Sequence, residues 1–344
     1  MTTSEDAIRI AEHHALSTTL ALQSDSALRA LAGTARKTNS GIGGRTAVLE
    51  VAGKPVFMKR IPLTEVELDA ANAHSTANVF DVPTSCHYGL GSPGFGAWRE
   101  LAVQVMTTNW ALEGEYTGFP LLHHSRVLPE AAAEVVLPDD LADVEKAVAA
   151  WGGAPQVRRR IEELAKAPAS LALFMESFPQ NLHQWMGEQV AAGEAAVERA
   201  CAMVERELAA GIGFMNARGL LHFDAHFENM MTDGRRLFFT DYGLALSDRF
   251  ELTPGEAEFF RRHESYDRTY AANYMVKWLV TEFYGLRGAE REAFVRACAE
   301  GRRLTGIPPA AAAIVARDAP VAVVMEDFIG KVQREGPQTP YPFG

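Results

Sequence analysis

Residues 36–63 restrict the possible folds more than any other part of the sequence, because they have the pattern of two successive strands. Two apolar runs, 45–51 and 56–61, follow a glycine-rich turn and are separated by a second turn that contains glycine and proline. Apolar residues recur with helical spacing before this region, in 5–35, and through most of the chain after 177. The sequence therefore predicts an α+β fold with a small strand-rich N-terminal part and a larger, mainly helical C-terminal part.

We place the domain boundary between residues 176 and 177. The first predicted domain, 1–176, includes an N-terminal helical extension and an insertion near 130–168, and the second is 177–344. Further segments have weaker patterns: we predict helices at 64–80 and at 181–218 with a break near 192–193, a short strand at 170–175, and either a strand or a helix at 98–110.

Composition excludes several classes of protein. The 344 residues are 47% hydrophobic and 22% charged, which is typical of a globular chain and not of a disordered one. A formal net charge of -11 disfavours nucleic acid as a partner. The sequence has no signal-peptide pattern and no apolar run long enough to cross a bilayer, so we expect a cytoplasmic protein without a membrane partner. Three widely spaced cysteines are expected to be reduced and mostly buried: Cys86, Cys201 and Cys298.

Acidic and amide side chains surround a predicted hairpin. Asp224 and Asn229 follow a long helical segment, and an Asp-Gly turn at 233–234 lies between two short apolar runs, which is a strong hairpin signal. Because a hairpin returns the chain to its starting point, we expect Asp241 to lie beside Asn229. Oxygen ligands of this kind suit Mg²⁺, and Asp224 would then be available to orient a substrate hydroxyl and accept its proton.

These residues resemble the catalytic and metal-binding loops of the protein kinase-like superfamily, which includes protein kinases and aminoglycoside phosphotransferases. Residues 222–229 resemble the H-x-D-x-x-x-x-N loop, and 241–243 resemble D-F-G with tyrosine in place of phenylalanine. The resemblance implies a bilobal fold with a small β-rich N-lobe and a larger, mainly helical C-lobe. It implies ATP and Mg²⁺ as cofactors, Asp224 as the catalytic aspartate, and Asn229 and Asp241 as metal ligands.

Two histidines in the same loop have different expected roles. By the resemblance, His222 is structural and holds the loop. At the place of His226, Ser/Thr protein kinases commonly have a lysine that contacts the transferred phosphate, whereas histidine there is similar to aminoglycoside and choline kinases. The loop therefore leaves open whether the acceptor is a protein or a small molecule.

The glycine-rich turn and the second strand resemble the nucleotide-binding parts of the same superfamily. Gly41, Gly43 and Gly44 fit the G-x-G-x-x-G-x-V pattern, except that Thr46 replaces the third glycine. Lys59 matches the V-A-I-K lysine that binds nucleotide phosphates, and we count it among the catalytic residues with Asp224, Asn229 and Asp241. Arg60 and Lys54 are competing cations, but strand alternation places Lys59 and Arg60 on opposite faces.

The carboxylate that should bind Lys59 is ambiguous in the sequence. Glu67 is our choice, although Thr64 and Glu67 also have the spacing of a helix capping box. Glu100 is the alternative. Residues 174–179 resemble the hinge of the superfamily, which implies that backbone groups near Glu176 and Phe178 bind an adenine edge.

Together these patterns predict a kinase that transfers the γ-phosphate of ATP to an alcohol. We expect the acceptor to be Ser or Thr of a protein or peptide, including a peptide precursor in natural-product modification. The alternatives are a small-molecule kinase of the aminoglycoside or choline type, and a nucleotide-binding pseudokinase with a regulatory role. The Ala- and Arg-rich composition of the chain is similar to that of actinobacterial kinase family proteins. Asp224, Asn229, Asp241 and Lys59 are all present, which favours an active enzyme.

Overall fold

The structure is a computed structural model that describes residues 4–33, 36–41, 44–89, 91–129, 137 and 139–344; for 36–41, 44, 139 and 140 it describes the backbone only. The protein is a mixed α/β chain with one five-stranded sheet and two small two-stranded sheets. It divides into two compact units. Unit 1 comprises Met1–Ser177, Asp241–Ala245 and Arg249–Glu256, and unit 2 comprises Phe178–Thr240, Leu246–Asp248 and Ala257–Gly344.

The main division between the units lies one residue from the predicted boundary. The second predicted domain is not one unit, however, because the two short segments that follow Thr240 belong with unit 1. Asp241 is therefore part of unit 1, whereas Asp224 and Asn229 are part of unit 2. A boundary drawn at a single point of the sequence cannot represent a chain that returns to its first unit.

Unit 1 contains the five-stranded antiparallel sheet, whose strand order is β1-β2-β3-β5-β4. The elements of unit 1 are α1 (Ser4–Ala21), α2 (Asp25–Gly33), β1 (Arg36–Gly41), β2 (Gly44–Val51), β3 (Lys54–Leu63), α3 (Glu65–Leu68), a 3₁₀ turn (Thr84–Tyr88), α4 (Ala97–Leu112), β4 (Leu122–Pro129), α5 (Asp139–Ala142), α6 (Val144–Ala150), α7 (Pro155–Leu164) and β5 (Ala169–Glu176). The strands predicted at 36–63 and 170–175 and the α-helical extension are thus present.

The two faces of this sheet are covered by different helices. Ala172 and Phe174 of β5 pack in one cluster with Leu20 of α1, whereas Leu171 and Leu173 pack in another with Trp98 of α4. This division follows from the two-residue period of a strand. On β3, Phe57 and Ile61 also lie on the α4 side, so Lys59, midway between them, shares that face. The face of the lysine was predictable, but the helix that covers it was not.

The segment after β3 differs from the prediction. The helix predicted at 64–80 ends at Leu68, although the capping box of Thr64 and Glu67 is confirmed. Asp69 accepts a hydrogen bond from the N–H of Ala71, and the Asn72 amide donates to the Val66 carbonyl. Short polar side chains of this kind compete with the helical backbone ladder and favour turns.

The predicted insertion is part of the hydrophobic core of unit 1. Residues 130–136 and 138 lie outside the described part of the chain. In α6 and α7, Val148, Val157 and Ile161 pack against Phe80 and Cys86. Burial of these apolar side chains ties the segment to the residues that precede α4.

Unit 2 is mainly helical. Its helices and strands are α8 (Leu182–Ala192), α9 (Glu194–Ala217), β6 (Leu220–Leu221), a 3₁₀ turn (Phe227–Asn229), β7 (Met230–Thr232), β8 (Leu237–Phe239), β9 (Leu246–Ser247), α10 (Pro254–Arg262, which begins in unit 1), α11 (Tyr266–Tyr284), α12 (Gly288–Ala299) and α13 (Pro309–Glu335). The break between α8 and α9 is at Gly193, whose φ of 101° favours glycine, and the hairpin is β7 paired with β8. Both features confirm the sequence prediction.

Two further expectations can be compared with the structure. Cys86, Cys201 and Cys298 are all buried and unpaired, as predicted. Within the described residues, none of the helices combines the length and the apolar character that crossing a membrane requires.

Candidate functional site

Lys59 is the centre of a buried ionic cluster in unit 1. Its Nζ donates to Glu100 Oε1 at 2.7 Å and to Asp241 Oδ1 at 2.9 Å. Lys59 is 4% exposed and Glu100 2% exposed, whereas the Asp241 side chain is 39% exposed. Asp241 has a φ of 62°, a left-handed conformation that is rare for a residue other than glycine. The cluster thus joins a fully enclosed carboxylate and a solvent-accessible one through a single cation.

The charges of this cluster do not balance. Burial alone would lower the pKa of Lys59, but Asp241 and Glu100 outweigh it and hold that pKa above its ordinary value. Burial raises the pKa of Glu100 to about 7 although Lys59 opposes the rise, and the charge of Asp241 adds to it. Two carboxylates therefore share one ammonium group, and a further cation at the exposed oxygen atoms of Asp241 would reduce their repulsion.

The prediction that Glu67 binds Lys59 is wrong, and the alternative, Glu100, is the partner. Glu67 Oε2 instead accepts from Arg160 Nη1 at 2.7 Å, and both side chains are buried. Burial opposes ionisation of Glu67, but Arg160 outweighs it and lowers the pKa of the carboxyl. The helix of Glu67 is a single turn, so α4 supplies the carboxylate that reaches the lysine.

Of the other predicted nucleotide-binding positions, the glycines and Glu176 belong to unit 1 and Phe178 belongs to unit 2. Gly41 and Gly44 face each other across β1 and β2, and Gly43 lies outside the described residues. Glu176 ends β5, and its N–H donates to the Leu121 carbonyl at 2.9 Å. In unit 2, the ring of Phe178 lies 4.2 Å from that of Phe238 between centroids.

The loop of unit 2 is held by a buried carboxylate that the sequence analysis missed. Asp267 of α11 is fully buried and accepts from the backbone N–H groups of His222 and Phe223, each at 2.7 Å. Phe223 has a φ of 63°, so these two hydrogen bonds support a conformation that costs of the order of 1 kcal/mol or more. His222 Nε2 contacts the Thr240 carbonyl at 2.9 Å, which ties the loop to the end of β8 and agrees with the structural role predicted for it.

Asp224 and Asn229 are in direct contact. Asn229 Nδ2 donates to Asp224 Oδ2 at 2.9 Å and to the Asp224 carbonyl at 3.1 Å. Since both of these hydrogen bonds use the amide nitrogen, the amide oxygen of Asn229 is oriented to act as an acceptor or ligand. The N–H and hydroxyl groups of Thr240 both donate to the Asn229 carbonyl, and Asp241 is the next residue of the chain.

His226 lies between two carboxylates. Its Nδ1 is 2.8 Å from Glu228 Oε2 and its Nε2 is 3.5 Å from Asp224 Oδ1. The Tyr274 hydroxyl donates to the same Glu228 oxygen at 2.6 Å, and Tyr270 forms a hydrogen bond with Asp224. Burial alone would lower the pKa of His226, but its contacts with Asp224 and Glu228 raise the pKa to about 10. The hydrogen bond with His226 is the main reason that the pKa of Glu228 falls to about 2.

These shifts predict how His226 contributes to stability as pH changes. The pKa of His226 rises from 6.5 to about 10 on folding, so its contribution is complete below pH 6.5 and is lost as pH rises through 10. The pKa of Glu228 falls from 4.5 to about 2, so its contribution is present above pH 4.5 and is lost as pH falls through 2. We therefore expect the stability difference between wild type and His226→Gln to be largest between about pH 4.5 and 6.5.

Urea unfolding of both proteins from pH 3 to 10 measures this difference. His14→Gln is the control, since His14 is exposed on α1 and its substitution should give no comparable maximum. A difference for His226→Gln that does not change with pH would show that the two carboxylates do not act on this imidazole.

The site residues that sequence analysis did not find are far in sequence from the groups that they contact. Glu228 and Tyr274 are 46 positions apart, and Asp267 is 45 positions from His222. One signal was available: Tyr266, Tyr270, Tyr274 and Trp278 recur every four residues, which places four aromatic side chains along one side of α11.

In the part of the chain that the structure describes, no three His, Cys, Asp or Glu side chains are grouped so that they could hold a metal ion. No protein-family model and no curated protein matches the sequence.

Proposed function

We propose that this protein is an ATP- and Mg²⁺-dependent phosphotransferase that transfers the γ-phosphate to a hydroxyl group. The observation that carries the proposal is the buried Lys59 ammonium, bound to both Glu100 and the partly exposed Asp241. A lysine whose orientation is fixed by an enclosed carboxylate is suited to bind nucleotide phosphates, and phosphoryl transfer depends mainly on such positioning and on charge stabilisation.

The predicted site residues have different tasks in this reaction. Asp224 accepts a hydrogen bond from Asn229 at Oδ2. Its other oxygen, Oδ1, lies 3.5 Å from His226 Nε2 and has a further lone pair that can orient the acceptor hydroxyl and receive its proton. Lys59 binds the phosphates. Asn229 and Asp241 are the proposed metal ligands, and the donor set fits Mg²⁺, which commonly takes one or two carboxylates and completes its shell with phosphate oxygens and water. When bound, Mg²⁺ neutralises the charge on the phosphates.

The acceptor we propose is a Ser or Thr hydroxyl of a protein or peptide. The side chain of Glu228 supports this class, since it contacts His226, which also contacts Asp224, and is 48% exposed, so that a basic peptide could approach it. His226 instead favours a small-molecule acceptor of the aminoglycoside or choline type, because histidine at this place resembles those kinases. The same assay, run with both classes of acceptor, decides between them.

The proposal is tested first by binding and then by transfer. We expect ATP and Mg²⁺ together to raise the unfolding temperature more than either alone, as follows from preferential binding to the folded state. Transfer is measured with γ-labelled ATP and panels of Ser/Thr peptides and aminoglycosides. Binding without transfer to any acceptor or to water would favour the nucleotide-binding pseudokinase, and absence of binding would contradict the proposal.

A further inference from the structure

Helix α4 carries the carboxylate that binds Lys59, and two buried arginine–glutamate pairs contact the first turn of this helix. Glu100 is the fourth residue of α4. A helix fixes the relative positions of residues in one turn, so any displacement of the first turn also moves Glu100 away from Lys59. The two pairs are Arg160 with Glu67 and Arg99 with Glu256.

The first pair supports the N-terminal end of α4. Glu67 Oε1 accepts from the N–H of Ala97 at 2.9 Å, and the Glu67 carbonyl accepts from Trp98 Nε1 at 2.8 Å. Arg160 Nη1 binds the other carboxylate oxygen at 2.7 Å, and its guanidinium lies 4.7 Å from the centroid of Phe80. An acceptor at the first N–H groups of a helix satisfies donors that have no partner within the helix. Glu67 therefore fixes where α4 begins.

The second pair joins α4 to the segment that follows Asp241. Arg99 Nη2 donates to Glu256 Oε1 at 2.7 Å, and Arg99 Nε donates to the Thr76 carbonyl at 2.7 Å. Glu256 is 1% exposed, and its other oxygen accepts from the N–H and hydroxyl groups of Thr253 at 3.0 and 3.1 Å. Arg99 is the neighbour of Glu100 in the chain, so this contact acts one residue from the carboxylate that binds Lys59.

Both arginines depend on these pairs for compensation of their buried charge. Arg99 Nη1 and Arg160 Nε are buried and have no hydrogen-bond partner among the described residues. Each guanidinium is 3% exposed or less. Removing the carboxylate from such a pair leaves an uncompensated buried charge, which is strongly destabilising. We therefore expect the segments around the arginine to shift so that the guanidinium reaches water or another acceptor.

We propose that Arg160–Glu67 and Arg99–Glu256 are positioning pairs that hold Glu100 against Lys59. This inference rests on the proposed function for its effect on catalysis. It gives Glu67 a role that the sequence analysis did not find: Glu67 positions the helix that supplies the lysine's partner. It also means that the segment 249–256 contributes to the Lys59 cluster through the buried carboxylate of Glu256.

The test is a set of double-mutant cycles built on Glu67→Gln, Glu256→Gln and Glu100→Gln. We expect each of the first two to raise the Kd for ATP·Mg²⁺ by about tenfold, which is in the range of couplings within a shared network. In a Glu100→Gln background, neither should raise the Kd further, because the contact they support is already lost. Leu20→Ala is the control, since Leu20 is fully buried on the opposite face of the sheet and its loss should lower stability without changing the Kd.

A second measurement does not need nucleotide. The rate at which an amine-specific acylating reagent modifies Lys59, followed by mass spectrometry, should rise about tenfold in Glu67→Gln and Glu256→Gln and stay unchanged in Leu20→Ala. If Glu256→Gln does not fold, Glu256→Asp shortens the same carboxylate and serves in its place. Variants that are destabilised but keep wild-type Lys59 modification would overturn the inference. A wild type that binds no nucleotide would contradict the proposed function, while the modification rates would still decide the positioning role.

Discussion

Asp224→Asn should lower kcat by about 10²–10⁴ and leave the affinity for ATP almost unchanged, the size expected for loss of a positioned proton acceptor. The substitution keeps the shape of the side chain, and its amide oxygen can still accept from Asn229 Nδ2, which binds Asp224 at 2.9 Å in the wild type. The backbone of the loop is held independently by Asp267. What is lost is the capacity to accept a proton from the acceptor hydroxyl.

Single-turnover transfer from γ-labelled ATP measures the rate, and calorimetry measures nucleotide binding. Asp233→Asn is the matched control. Asp233 lies in the hairpin turn and accepts from the N–H groups of Arg235 and Arg236, and Asn-Gly is also a favourable turn, so its rate should equal that of wild type. A kcat for Asp224→Asn within about twofold of wild type would exclude Asp224 as the proton acceptor, since that change is far below the expected range.

Local sequence signals predicted the elements of this chain better than its long-range contacts. The hairpin of β7 and β8 follows from an Asp-Gly turn between apolar runs, and the break at Gly193 follows from a residue that ends helices. Each depends on neighbours within a few positions. The helix predicted at 64–80 is an exception among the local predictions. Polar side chains near Asp69 form turns there, and the spacing of the apolar residues does not reveal them.

The partner of Lys59 shows why spacing alone could not specify the site. Glu67 lies closer to Lys59 in sequence and begins a helix, but that helix has one turn, and its carboxylate is used by Arg160 and the start of α4. Glu100 reaches the lysine because the α4 side of the sheet is the side on which Lys59 lies. Which helix covers which face is a property of tertiary packing, and a two-residue strand period gives only the face.

Asp241→Asn should abolish the Mg²⁺-dependent part of ATP binding and reduce the rate of transfer by roughly 10² or more, because a metal contributes several kcal/mol of charge stabilisation. In the wild type, Lys59 contacts Glu100 at 2.7 Å. This contact should remain when the charge of Asp241 is removed, so the fold of unit 1 should be retained. Lys59 then has one carboxylate partner instead of two. Burial still raises the pKa of Glu100, but the repulsion from Asp241 that adds to this rise is removed. The variant therefore loses a proposed metal ligand while the buried part of the cluster becomes better balanced in charge.

That combination separates a metal-binding role of Asp241 from a purely structural one. Thermal unfolding with ATP, with Mg²⁺ and with both should show the combined shift in wild type only. Asp143→Asn is the matched control: Asp143 is the exposed N-cap of α6, and asparagine caps helices equally well, so the combined shift should remain. If Asp241→Asn keeps the combined shift, its carboxylate serves to balance Lys59 and the metal must be held elsewhere. The opposite outcome is loss of both the combined shift and the transfer in a variant whose unfolding temperature without ligand equals that of wild type. In that case the exposed oxygen atoms of Asp241 bind the cation, which the excess of two carboxylates over one lysine favours.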